Sequence, residues 1–146
     1  MRATLVVIAV AGGVLLSAAH ASAHVACTVG RTPYSRTYCG PAKATLKLGR
    51  KKYVFKGGNC SISDSTWMLS IGTITISGKP KKAYLGIAVF SKKAGTHLAA
   101  VSWQLHGTSQ SLSNAKVTLA KGLKKGTFTG SRGGRRGKVT GSFSCK

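Results

Sequence analysis

From residue 43 onward the apolar side chains of this chain recur at every second position, and each short run is closed by Gly, Pro or clustered Lys. A period of two places alternate residues on opposite faces of an extended strand, whereas a helix needs a spacing near 3.6. Ala44, Leu46 and Leu48 alternate with Thr45 and Lys47, and Gly49 and Arg50 mark a tight turn before Tyr53, Val54 and Phe55. Trp67, Leu69 and Ile71 share a face; beyond Gly72 the apolar parity moves to Ile74 and Ile76, as an inserted bulge residue causes. Residues 84–90 are apolar on both sides and read as a central strand. Val101, Trp103 and Leu105, then Val117 and Leu119, Phe128, and finally Val139, Phe143 and Cys145 complete the pattern. The expectation is an all-β domain over residues 43–146, an antiparallel β-sandwich or small barrel of about eight short strands. Residues 24–42, which hold Pro33 and Cys39, are expected to form an irregular arm stapled to it.

Ahead of the arm, Arg2, an apolar run over residues 3–19 and the small residues Ala21, Ser22 and Ala23 have the three-part form of a secretory signal. Residues 1–23 are therefore read as a leader cleaved before His24, with Gly12 and Gly13 in the run favouring cleavage over a retained anchor. No stable membrane insertion is expected after cleavage. His24, Val25 and Ala26 ahead of Cys27 lack the aliphatic residue that marks a lipidated cysteine. Secretion sends the four cysteines, Cys27, Cys39, Cys60 and Cys145, to an oxidising compartment, where an even number reads as two disulfides. Three pairings are open. A local Cys27–Cys39 clasp on the arm and a long-range Cys60–Cys145 tie are favoured, because the last Cys ends a strand-like segment and needs a distant partner.

Charge is the other strong constraint. The 146 residues carry 23 Lys and Arg against a single acidic side chain, Asp64, a formal net charge of +22. One carboxylate excludes the paired acids of glycoside hydrolysis, the two-Asp dyad of acid proteases and an acidic calcium loop. The cations fall in the turns: Arg50, Lys51 and Lys52; Lys79, Lys81 and Lys82; Lys92 and Lys93; Lys121, Lys124 and Lys125; and Arg132, Arg135, Arg136 and Lys138. If successive strands simply run up and down, the first, second and last of these groups share one pole, and the other two share the opposite pole with Asp64. A Greek-key connection would break that arrangement. Lysine in turns also guards strand edges against aggregation and keeps a protein soluble. Solubility alone does not account for the missing acid, since solvated surfaces ordinarily mix both signs. The imbalance points to an acidic habitat or to anionic partners such as cell-wall or extracellular polymers, held by an attraction that is long-ranged and weakened by salt.

Other chemistry finds little footing. Residues 131–138, Ser-Arg-Gly-Gly-Arg-Arg-Gly-Lys, superficially match Arg-Gly segments that bind single strands, but the stretch is short and sits between two strands, so only non-specific nucleic-acid binding in vitro is expected. No Cys-x-x-Cys spacing supports zinc, and neither a metal nor a cofactor is expected. His97 and His106 bracket one strand at odd separation and point to opposite faces of it. A small secreted hydrolase using them in acid and base steps is the weakest reading, and Asp64 between Ser63 and Ser65 is read as a turn cap.

The run Ala44-Thr-Leu-Lys-Leu-Gly-Arg-Lys-Lys-Tyr-Val-Phe, then Gly57-Gly-Asn-Cys60, Leu69-Ser-Ile-Gly72 and the ending Val139-Thr-Gly-Ser-Phe-Ser-Cys145, resembles small secreted actinobacterial envelope proteins. It is distantly similar to the mycobacterial surface lipoprotein antigen family, in which an early Cys after a Gly pair and a final Cys after a Gly-containing strand recur. The resemblance covers residues 43–145 and implies a surface-exposed, non-enzymatic β domain with the Cys60–Cys145 pairing. It supplies no ligand. This chain departs from the family in lacking a lipobox and in being strongly basic. The resulting expectation is a secreted or cell-surface protein, not an enzyme, that holds anionic polymers through Arg50, Lys51, Lys52, Lys79, Lys81, Lys82, Arg132, Arg135, Arg136 and Lys138. A cationic membrane-disturbing protein is the alternative, disfavoured by the lack of an amphipathic basic helix.

Overall fold

The alternation is realised as one antiparallel sheet of eleven strands. A computed structural model describes residues 27–132 and 137–146; the expected leader and the arginines Arg135 and Arg136 lie outside the described residues. In chain order the strands are β1 (Gly30–Arg31), β2 (Ser35–Tyr38), β3 (Lys43–Leu48), β4 (Lys51–Lys56), β5 (Gly58–Ser63), β6 (Thr66–Thr75), β7 (Tyr84–Val89), β8 (Gly95–Leu105), β9 (Thr108–Leu119), β10 (Lys125–Ser131) and β11 (Lys138–Ser144). From β6 to β11 each strand pairs antiparallel with its successor, β11 then pairs with β3, and β3 with β4. This path is a meander whose last strand returns to the β3–β4 hairpin.

The sheet rolls around one continuous core. Trp67, Leu69 and Ile71 on β6, Leu85 and Val89 on β7, Val101 and Trp103 on β8, Phe128 on β10 and Phe143 on β11 are all buried in it. The rings of Trp67 and Phe143 lie 5.0 Å apart, so β6 and β11 meet face to face although five strand pairings separate them along the sheet. The hydrogen-bonded ladder does not close. Instead β4 and β5 form nearly one strand broken at Gly57, whose φ of 81° turns the chain away from β3 and onto β6. A side chain other than Gly is strained in that backbone region. Where the ladder stops, the Cys60–Cys145 disulfide ties β5 to the end of β11. Cys27 and Cys39 form the second bridge, so both favoured pairings are present.

Three strands exceed the sequence expectation, and each is poor in apolar alternation. β5 reads Gly-Asn-Cys-Ser-Ile-Ser, and β1 and β2 lie within residues 24–42. The arm is thus not irregular throughout. Its β1–β2 hairpin pairs with the upper part of β6, Ser35 to Tyr38 against Thr75 to Gly72, while β5 takes the lower part of the same edge. Backbone bonds from Ala42 N–H to Gly58 O and from Gly57 N–H to Ala42 O lace the arm into the corner where β4 leaves off. The bulge expected at Gly72 is also corrected. The β6–β7 register runs unbroken to the pair Gly72–Tyr84, and Gly72, with φ of 86°, marks the point where β6 leaves β7 and continues along β2. The register shift inside a ladder falls instead between β8 and β9, at Ala99 and Val101.

Candidate functional site

Because neighbouring strands in the meander are antiparallel, alternate connections fall at opposite ends of the sheet. The β3–β4, β6–β7, β8–β9 and β10–β11 connections form one pole. Arg50 lies in the first of these, Lys79, Lys81 and Lys82 in the second, and Arg132 in the last. Lys51, Lys52 and Lys138, expected in turns, are the opening residues of β4 and β11, and remain exposed at the same pole. Side chains and backbone hold these connections together. Gly49 N–H donates to Lys138 O at 3.2 Å, the Lys79 chain lies over Gly107, and the Tyr53 and His106 rings are 5.9 Å apart. The opposite pole receives Lys92, Lys93, Lys121 and Lys124, with Lys125 and Lys43 exposed there as the opening residues of β10 and β3, together with Asp64 in the two-residue β5–β6 hairpin. The up-and-down condition set by the sequence is met, so basic groups stand at both poles while Asp64 stands at one; Arg135 and Arg136 lie outside the described residues.

Trp103 closes the core at the cationic pole. It is 1% exposed, and the Arg132 guanidinium stands 5.9 Å from its ring centroid while donating to Gln110 Oε1. An arginine set against an indole keeps its charge at the surface beside the apolar ring. Trp67 plays the matching part at the other end, donating from Nε1 to Leu123 O at 3.1 Å. Sequence patterning located both tryptophans on the core face. The Arg132 contact is not readable from the sequence, since it depends on where β10 ends relative to β8.

Next to Lys79, Lys81 and Lys82 lies a groove of about 350 Å³ floored by the β2–β6 ribbon. Sequence patterning does not reveal its hydroxyl residues, because Ser35 and Thr37 fall in the stretch expected to be an irregular arm and Thr73 and Thr75 alternate with the apolar Ile74 and Ile76. The only available signal was the alternation of Ser35 and Thr37 with Arg36 and Tyr38, too short to stand out. On the other face of the sheet, Tyr84 lies along β7 over Gly86, its hydroxyl bonded to Ser70. Burial raises its pKa above 10.0, outweighing the lowering effect of the Ser70 hydrogen bond.

His97 and His106 sit at opposite poles, roughly 30 Å apart at the rise of an extended strand. His97 Nε2 is 2.9 Å from Lys93 O, and the His106 ring lies tilted at 59° to that of Tyr53. Among the described residues no group of three or more His, Cys, Asp or Glu is placed to hold a metal ion, and no helix is long and apolar enough to cross a membrane. The two disulfides indicate an oxidising, non-cytoplasmic environment. No family model, curated protein or solved structure matches the chain.

Proposed function

We propose that this is a secreted, envelope-associated binding protein that holds anionic cell-wall or extracellular polymers at its cationic pole. One observation carries the reading: the meander gathers Arg50, Lys51, Lys52, Lys79, Lys81, Lys82, Arg132 and Lys138 at one end of a cross-linked domain and leaves the one acidic side chain, Asp64, at the other. A polyanion approaching that end meets fixed positive charge with no carboxylate nearby to neutralise it. Attraction of this kind is long-ranged at low salt and fades as the screening length falls from about 10 Å near 0.1 M to about 3 Å near 1 M.

The test compares two triple variants of equal net charge. Lys79, Lys81 and Lys82 changed to Gln should weaken binding to isolated cell wall or to a soluble polyanion about tenfold, in line with the modest strength of individual exposed ion pairs. Changing Lys92, Lys93 and Lys121 to Gln should alter it less than about twofold, and high salt should release the parent protein. Equal weakening by the two triples would mean that net charge alone, without any pole, governs association.

A further inference from the structure

Resting on that reading, we infer that the groove beside Lys79, Lys81 and Lys82 is a subsite for one acidic sugar ring of the bound polymer. The β2–β6 register sets Ser35 opposite Thr75 and Thr37 opposite Thr73, so four hydroxyl side chains share one face and floor the groove. Thr37 and Thr73 orient each other through a hydrogen bond of 3.0 Å. Hydroxyls both donate and accept, which suits the mixed donors and acceptors of a sugar ring; a bare phosphate or sulfate needs donors alone. The lysines supply those donors at the groove wall.

At the mouth stands Tyr34, 66% exposed. Its backbone is fixed from three sides: Tyr34 N–H donates to Thr32 Oγ1 at 3.2 Å, and Tyr34 O accepts from Ile76 N–H at 2.8 Å and from Ser77 N–H at 3.4 Å. A large aromatic face held in water at the edge of a polar groove costs stability and offers a platform for the C–H face of a pyranose. Single-stranded nucleic acid is the competing occupant, since bases also stack on aromatic rings. Such grooves use a succession of aromatics along the strand. Here Trp67, Trp103, Phe128 and Phe143 are buried, and Tyr34 is the aromatic that lines this groove.

The experiment measures binding of the folded protein, its Tyr34→Ala and Tyr34→Phe variants and Thr73→Val to four probes: dextran sulfate, polygalacturonate, polyphosphate and oligo-dT. Tyr34→Ala and Thr73→Val should weaken the two sugar polymers about fivefold and leave polyphosphate, which has no ring, within about twofold; Tyr34→Phe should retain parental binding. Equal loss on polyphosphate, no loss on either sugar polymer, or a loss confined to oligo-dT overturns the sugar subsite while leaving the cationic pole intact. If the parent protein binds none of the polyanions, the pole reading and the subsite fall together. Sulfate and carboxylate are separated by comparing the first two probes.

Discussion

At the residue scale, the side chain of Gln104 shows how the sheet tolerates unequal strand lengths. β6 continues past its last pairing with β7 at Gly72, leaving the Thr75 backbone without a β7 partner on that edge. Gln104 on β8 spans the gap: its Oε1 accepts from Thr75 N–H at 2.7 Å and its Nε2 donates to Thr75 O at 2.8 Å, in the manner of a missing strand residue. The side chain is 7% exposed. Gln104→Leu should therefore cost about 1–3 kcal/mol, because it strands a backbone donor and acceptor away from water; a shift in the denaturant midpoint of that size checks it, and an unchanged midpoint counts against the role. Glycines in the strands answer to a related constraint. Gly141 pairs with Phe128 and Gly126 with Phe143, and in each case the aromatic ring lies where a Cβ would stand. Those pairings explain why both strands carry, at these positions, a residue that weakens strands elsewhere.

Among the elements, the eight apolar strands were legible and the three polar ones were not. Period-two alternation reports a strand with one face in the core, and β5, β1 and β2 bury too little to produce it. Those edge strands are instead held by cross-links. Cys60 and Cys145 are separated by 85 residues and join two elements that share no ladder, whereas Cys27 and Cys39 are separated by 12 within the arm. By loop-closure entropy the long bridge contributes on the order of 4 kcal/mol and the short one about 3. Replacing Cys60 and Cys145 by Ser should lower the unfolding midpoint of the whole domain, while replacing Cys27 and Cys39 should mainly loosen β1 and β2. Hydrogen exchange resolves the two outcomes, and faster exchange confined to the arm in both variants would contradict the assignment of the long bridge to the seam.

For the whole molecule the scarcity of acid has a consequence for pH. Acid unfolding mostly reflects carboxylates that lose native partners on protonation, and this chain has one acidic side chain. Stability should therefore be nearly flat between about pH 3 and 6. The alkaline side differs. Tyr84 is held neutral by burial, with its pKa raised above 10.0, so in the unfolded chain it releases its proton first. Its contribution is complete below about pH 10 and is lost as pH climbs through the folded-state value. Denaturant midpoints across that range should fall more steeply for the parent than for Tyr84→Phe, and parallel curves would remove Tyr84 from the account.

Composition and alternation on their own determined that the chain is a cross-linked, all-β, strongly basic domain, because a core-facing strand writes its period directly into the order of residues. Arg50, Lys79 and Arg132 were equally visible as basic turns. Which of them are neighbours was decided only in three dimensions, by the meander that sends alternate connections to the same end and by the return of β11 to β3. The hydroxyl groove left only a faint trace in the sequence, the brief alternation of Ser35 and Thr37 with Arg36 and Tyr38. It arises where the four-residue β2 comes into register with residues 72–75, the polar end of β6, and the pairing of those two segments leaves little local trace because neither needs an apolar pattern to make it.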